Sequence, residues 1–473
     1  MLSRTPQSPE ASANHGAVAR RRSIPLAVAG WPNRRRVSRH QIAGRMLLLW
    51  AIAYVALRRA SDPGAAAGQA ALVAVVWLVT GQRVAQSFRA MTFAVGPFAL
   101  AVATSFFGVL TVSALTFWIP AIGIAHATLA FVAIVTAIGT GLWDLLIYRV
   151  AATTRRVLVV GAAEPTTRLL ADLARDPDVG FEVVAIVADE VHPSIDPKLP
   201  YGGPLESLQS AVRRFSPDLV VVAVQTGRPR VFAQLLEVAD AGFQVVGLPE
   251  IYESAFGRLP VGDLTSAWFM SILHAYQRPS NRIAKRCFDV VVALVGILAT
   301  LPLLPFLVVI VKRTKGPLFY RQVRLGEHGR LFRIVKFRSM HADAEASGQA
   351  QWAATNDSRV IPGGHLLRLL RLDELPQFWN VIRGEMSIVG PRPERPEFVE
   401  LLRAEVPFWT QRHLLKPGIT GWAQIRAGYA ADALGTEEKL SYDLWYLRHR
   451  SILLDATICL KTLPRMALTR GAR

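Results

Sequence analysis

From residue 90 to residue 143 the chain carries no Asp, Glu, Lys or Arg, which suits hydrocarbon better than water. Trp118, Pro120 and Gly123 interrupt this run near its middle. It therefore reads as two helices joined by a tight turn, each with the roughly 20 apolar residues that a membrane crossing needs. Residues 46–57 and 65–80 are shorter apolar stretches that, with their flanks, supply a second pair. The expectation is four transmembrane helices over residues 46–149. Residues 1–45 are rich in Ser, Pro and Arg and lack a hydrophobic core followed by a small-residue cleavage site, the pattern of a disordered basic tail. Arg34, Arg35, Arg36, Arg39 and Arg45 precede the first helix, and Arg149, Arg155 and Arg156 follow the fourth. The positive-inside rule then puts both ends in the cytoplasm.

A chain of 473 residues exceeds what one core organises, so two or three folded units are expected. Against 35 Asp+Glu stand 54 Lys+Arg, a formal charge of +19. Zinc-finger, RNP-type and helix-turn-helix patterns are missing from the sequence, and the apolar runs argue against a nucleic-acid partner. Anionic lipid headgroups and phosphorylated substrates account better for the charge. Cys287 and Cys459 are the two cysteines, too few for a disulfide framework or a thiolate metal site.

After the fourth helix, residues 156–161, 182–187 and 218–224 are short aliphatic runs alternating with helical stretches. That alternation predicts a Rossmann-like α/β module over residues 155–255 with a small parallel sheet. Its first turn, Gly161-Ala-Ala-Glu-Pro-Thr, lacks the second and third glycines of a dinucleotide fingerprint, so both a structural and a ligand-binding module stay open.

Residues 290–311 form a fifth uncharged run. Lys285 and Arg286 flank one side and Lys312, Arg313 and Lys315 the other, so the charge rule wants both ends inside. Pro302 and Pro305 break the run about midway, where a missing donor and a ring clash disfavour a straight helix. The arms are then about 12 and 9 residues, or roughly 18 and 14 Å, each too short to cross. A re-entrant helix that dips into one leaflet satisfies both constraints.

The chemistry-bearing residues lie beyond this run. In Arg368-Leu-Leu-Arg-Leu-Asp373-Glu374-Leu-Pro376-Gln377-Phe-Trp-Asn380, Asp373 reads as the cap of a following helix. The same two carboxylates can also supply a nucleophile and a metal ligand, with Arg368 placed to pair with phosphate. In Gly390-Pro391-Arg392-Pro393 two prolines restrict where the Arg392 guanidinium points. Lys416-Pro417-Gly418-Ile-Thr420-Gly421-Trp422 is a second rigid turn, and Lys336-Phe-Arg338-Ser-Met340 places two cations just after an expected strand.

Together these four segments, with Tyr442-Asp443-Leu-Trp-Tyr446 and Leu454-Asp455, resemble in order and spacing the bacterial sugar transferases, the monotopic polyprenyl-phosphate phosphoglycosyl transferases. The four helices and the Rossmann-like module resemble the long form of that family, which starts exopolysaccharide or O-antigen assembly. The resemblance implies a membrane α-helical bundle, an α/β middle domain and an α-rich catalytic domain over residues 281–473 with its re-entrant helix at 290–311. It implies an Asp373–Glu374 dyad. The aspartate takes the sugar-bearing phosphate from a nucleotide sugar, with UDP the expected carrier, and passes it to polyprenyl phosphate, while Glu374 helps hold Mg²⁺. Arg368, Arg392, Lys336 and Arg338 are the expected phosphate-binding residues, and Pro302 the membrane break. The expected location is the plasma membrane, multi-pass, with a cytoplasmic catalytic domain; a homodimer is left open.

The sequence departs from the family at Leu301, where a Ser often precedes the proline, and at Arg359-Val-Ile361-Pro362, where Arg-x-Thr-Arg is usual. A membrane-bound sugar-nucleotide dehydratase would need a glycine-rich turn and a Tyr-x-x-x-Lys pair, and the sequence has neither. A catalytically dead scaffold would favour an altered dyad, whereas both carboxylates are present.

Overall fold

The computed structural model describes residues 37–58, 62–87, 97–119, 122, 124–150, 154–176, 179–224, 228–264, 268, 270, 280–341, 359–427 and 433–468. The expected tail over residues 1–36 lies outside them. Residues 37–45, read from sequence as the tail's end, are helical instead: α1 runs Val37–Leu57 and carries Arg39 and Arg45. A helix can extend beyond its apolar stretch because long basic side chains reach back toward water.

Next come α2 (Pro63–Ser87), α3 (Pro97–Trp118) and α4 (His126–Val150). Each packs on its sequence neighbour, and α1 also packs on α4. Small residues allow the approach: Ala53, Ala66, Ala70 and Ala101 are fully buried, and a Cβ on Gly108 would meet the Trp77 ring at 2.6 Å. The outward residues Phe106, Leu110, Phe131, Ile134 and Leu142 are exposed and apolar, so this bundle is apolar outside as well as in its core of Leu49, Val73, Trp77 and Val112. Among the described residues, Pro63–Gln82 and Arg282–Lys312 are long and apolar enough to cross a membrane, whereas Gly44–Leu57, Thr104–Trp118 and Ala127–Trp143 are shorter apolar helices.

The middle module is a five-stranded parallel sheet ordered β3-β2-β1-β4-β5, with β1 at Arg155–Val160, β2 at Phe181–Val187, β3 at Tyr201–Gly203, β4 at Leu219–Val222 and β5 at Gln244–Gly247. Its central strands are aliphatic without alternation because helices cover both faces. Gly161, at φ +107, makes the turn after β1, where a Cβ would lie 2.9 Å from the Val224 side chain. The following helix, α5 (Glu164–Arg175), opens with a carboxylate, Glu164, where dinucleotide folds hold an anion. That carboxylate, paired with Arg168 at 2.6 Å, occupies the place a pyrophosphate would take, and α6 (Leu208–Phe215), α7 (Arg228–Glu237) and α8 (Leu248–Ala255) complete the module.

The module does not end at its sheet. Trp422 Nε1 donates to Gly257 O at 2.8 Å, Arg426 to Phe256 O at 3.1 Å, and Trp268 Nε1 to Glu253 at 3.0 Å. Arg258 pairs with Asp172 at 2.6 Å and reaches Glu438 at 3.6 Å. One continuous core runs from the sheet through Ile251 and Trp268 to Trp422 and Trp445.

The fifth apolar run forms α9 (Ser280–Thr300), a 3-10 turn at Leu301–Leu303 and α10 (Leu304–Lys312). The break falls at Pro302 as expected, and Pro305 sits in the first turn of α10, where its missing N–H costs nothing. Both ends are tied to one folded unit. Near the start, Lys285 pairs with Asp289 at 3.0 Å and Asp455 at 2.8 Å. Asp289 accepts from Ser387 Oγ at 3.0 Å and Ile388 N at 3.1 Å, and Arg286 donates to the Val381 and Ile382 carbonyls. At the far end, Leu307, Ile310 and Val311 pack with Phe337 and Leu367.

Candidate active site

A hairpin of β6 (Phe319–Leu325) and β7 (Leu331–Phe337) leads to α11 (Gly364–Leu369). Arg371 then adopts φ 51, ψ 26, a left-handed conformation costly for a residue with a Cβ. This reversal starts a 3-10 turn at Leu372–Glu374, followed by α12 at Gln377–Arg383. Asp373 therefore caps no helix: α12 begins at Gln377 behind Pro376, with no side-chain cap. The capping expectation fails because the chain makes a separate turn before the helix starts.

Asp373 and Glu374 are 8% and 7% exposed. Glu374 is surrounded by cations: Lys336 Nζ at 3.1 Å, Arg392 Nη2 at 3.4 Å and Arg371 Nη1 at 3.7 Å. Burial pushes its carboxyl up, but Lys336, Arg392 and Arg371 outweigh that and hold it low, at about 2. Asp373 goes the other way. Burial and the neighbouring Glu374 charge raise it to about 6 against the pull of Lys336, Arg368 and Arg392. Among the described residues no hydrogen-bond donor reaches the Asp373 carboxylate. One carboxylate is thus neutralised in place and the other has no hydrogen-bond donor among the described residues, a division of labour that suits an ionised ligand and a nucleophile.

The surrounding elements fix this geometry. Asn380, 1% exposed, accepts from Val335 N at 3.1 Å and donates to Arg333 O at 2.8 Å, stitching α12 to the strand that carries Lys336. The turn holding Arg392 follows β8 (Ser387–Val389), which pairs with β9 (Gly418–Thr420). Gly390 N donates to Thr420 O at 2.9 Å and Gly418 N to Pro391 O at 2.8 Å. The two glycine motifs cross here, and a Cβ on either Gly390 or Gly418 would strike the other's backbone. Arg412, paired with Asp443 at 2.8 Å, donates to Arg392 O at 3.2 Å, and Arg324 donates to Pro393 O at 3.1 Å.

The structure thus brings Lys336, Arg368, Asp373, Glu374 and Arg392 together and adds Arg371. It does not bring Arg338 to them. That guanidinium, 3% exposed, donates to the carbonyls of Val311 in the last turn of α10 and of Thr314 and Lys315 just beyond it. Its assignment to phosphate is corrected, because two residues along β7 from Lys336 the chain has left the strand and the side chain turns to a helix end with unpaired carbonyls. Arg338→Met should lower the melting temperature of the solubilised protein, since the buried Val311 carbonyl loses its donor at about 1–3 kcal/mol and the more exposed Thr314 and Lys315 carbonyls lose theirs at less. Activity per folded molecule should stay near normal; a large specific loss in fully folded protein would return Arg338 to the site.

Sequence reasoning missed Arg371, Asn380, Arg412 and the Lys285–Asp289–Asp455 network. A legible signal existed for Asn380, a polar residue within the apolar series Trp379-Asn380-Val381-Ile382, and for Asp289, the last charge before an uncharged run. Among the described residues no group of three or more His, Cys, Asp or Glu side chains could cage a metal. One or two carboxylates with room for substrate phosphates is the donor set that magnesium uses, so the dyad fits that ion.

Fold and site define a membrane-associated protein with a buried carboxylate dyad ringed by cations. Residues 280–469 match the family model described as bacterial sugar transferase. The chain is 40% identical over 240 residues to the UDP-N-acetylgalactosamine-undecaprenyl-phosphate N-acetylgalactosaminephosphotransferase of Aeromonas hydrophila, covering 50% of this chain and 56% of that protein. It is 31% identical to the UDP-glucose:undecaprenyl-phosphate glucose-1-phosphate transferase of Klebsiella pneumoniae, covering 67% of this chain and 69% of the relative. It is also 34% identical to the exopolysaccharide production protein ExoY of Sinorhizobium fredii, covering 44% of this chain and 96% of that shorter protein. The chain belongs to the bacterial sugar transferase family.

Proposed function

We propose that this protein transfers a sugar-1-phosphate from a nucleotide sugar, with UDP as carrier, to a polyprenyl phosphate, the initiating step of surface polysaccharide assembly. The observation that carries this reading is the Asp373 carboxylate, without a donor among the described residues, beside a Glu374 neutralised by three cations. Two similar proteins named above act on UDP-sugars and undecaprenyl phosphate, which supports the donor and acceptor classes.

In the first step an Asp373 oxygen bonds to the sugar-bearing phosphorus while the bond from that phosphorus to the nucleoside monophosphate breaks. In the second, an oxygen of polyprenyl phosphate attacks the same phosphorus and the Asp373 carboxylate leaves. The product is a polyprenyl-diphosphate sugar, and the aspartate is regenerated. Lys336, Arg368, Arg371 and Arg392 lie where phosphate charge must be balanced in both steps. Glu374 would hold Mg²⁺, which would supply further neutralisation of phosphate oxygens. Chelation with EDTA should stop turnover and added Mg²⁺ restore it; full activity in EDTA would remove the ion from the scheme. Membranes assayed with a panel of radiolabelled nucleotide sugars test the reaction itself, and no lipid-linked product from any donor would refute it.

The same reading makes the protein a multi-pass protein of the plasma membrane with a cytoplasmic catalytic domain. Apolar outer faces on the N-terminal helices support membrane insertion. Re-entry of residues 290–311 is supported by the attachment of both flanks to one unit, through Asp289 at one end and Arg338 at the other. A straight span would pull those attachments to opposite sides of the bilayer.

A further inference from the structure

A cavity of about 770 Å³ lies between the helix break and the hairpin, within the roughly 300–1,000 Å³ range of small-molecule sites. Ile297, Leu301 and Leu304 form one wall, and Pro376 and Trp379 close another. The third wall is one face of the hairpin. Arg321 pairs across with Val335, and Val323 with Arg333, so strand alternation puts both arginines on the same face. Lys336, next along β7, takes the opposite face, toward Glu374. Neither dyad carboxylate lines the cavity, nor do Lys336, Arg368 or Arg392.

We propose that this cavity binds an anionic phospholipid of the bilayer, its phosphate at Arg321 and Arg333 and one acyl chain against Leu301 and Trp379. The proposal rests on the reading that the helix break lies at the membrane interface. Charge complementarity comes first. The guanidinium groups of Arg321 and Arg333 are exposed and have no hydrogen bond or ion pair among the described residues. The third arginine of the lining, Arg383, is answered by Glu385 at 3.2 Å. Two unanswered cations whose stems lie along an apolar wall are the arrangement that holds a lipid phosphate at the depth of the headgroups. The wall, moreover, continues outward. Leu301, Phe306 and Trp379 are each more than half exposed, forming an apolar surface that runs from the cavity onto the helix break. The reacting acceptor is a poorer occupant, because its phosphate has to reach Asp373, and the arginines stand on the other face of the strand that carries Lys336.

The test uses the full chain in nanodiscs of phosphatidylcholine, with or without phosphatidylglycerol, with bound lipid counted by native mass spectrometry. The wild type should retain one phosphatidylglycerol. An Arg321→Gln/Arg333→Gln variant should lose it, with affinity falling roughly 10- to 30-fold for two interfacial basic residues, while turnover in phosphatidylcholine alone is unchanged. Arg321→Lys/Arg333→Lys, which keeps the charge, should retain the lipid. Undiminished phosphatidylglycerol in the Gln variant would overturn the proposal. So would a raised KM for polyprenyl phosphate in phosphatidylcholine, which would give the cavity to the acceptor. The lipid count needs no turnover, so it stands or falls separately from the transferase reading.

Discussion

Asp373→Asn should abolish sugar-1-phosphate transfer, lowering turnover by roughly 10³-fold or more, as loss of a covalent nucleophile does. The substitution keeps the shape of the side chain and removes the attacking oxygen's charge. It breaks no hydrogen bond, because the described structure gives that carboxylate none, so the variant should reach the membrane in normal amount. A nucleotide sugar labelled in its sugar-bearing phosphate, supplied without lipid acceptor, should label the wild-type protein and leave Asp373→Asn unlabelled. Near-normal transfer by the Asn variant would sink the nucleophile assignment. Glu374→Gln should be comparably inactive for a different reason: Lys336, Arg371 and Arg392 would lose their shared counter-charge, and the ion its carboxylate.

The second large effect is topological. With Cys287 and Cys459 first replaced by Ser, single cysteines at Ser280 and at Lys315 should both resist an impermeant maleimide in intact cells, and both should label once the membrane is opened. The argument is mechanical as well as electrostatic. Asp289, 3% exposed, is bonded to Ser387 and Ile388, and Arg338 is bonded to Val311 and Thr314, so a crossing helix would have to break one set of buried bonds. Labelling at Lys315 but not Ser280 in intact cells would overturn both the re-entrant helix and the cytoplasmic site. Replacing Pro302 and Pro305 with Leu should favour a continuous helix and cost activity, since the dyad would lose its depth.

The parts legible in the sequence are those governed by local rules. Aliphatic runs announced the parallel sheet, and Pro302 announced the break in the fifth apolar helix, because both depend on residue type and spacing alone. The dyad and its cations were legible as motifs. What distinguishes Asp373 from Glu374 was not, since that depends on cations arriving from a hairpin, a left-handed turn and a proline-framed loop far apart in the chain. Arg338 was misread for the same reason. Spacing along β7 groups it with Lys336, whereas a helix end met only in three dimensions claims its donors. Asp373 looked like a helix cap because nothing local signals that Arg371 adopts a left-handed conformation.

Trp422 and Trp445 share a continuous core with Ile251 and Trp268, and this changes where the protein can be divided. By composition the natural cut lies near residue 280, where the family match begins. A fragment cut there would keep every residue of the dyad site yet expose an apolar scar over Trp422, and would strand Arg426 and Arg448 without the Phe256 carbonyl and the Glu253 carboxylate they bond. A cut moved upstream to Leu248 fares no better, because Tyr252 and Arg258 are bonded to Asp172 and the sheet's own Val157 and Leu169 lie in the same core, so the α/β module and the catalytic part behave as one folding unit.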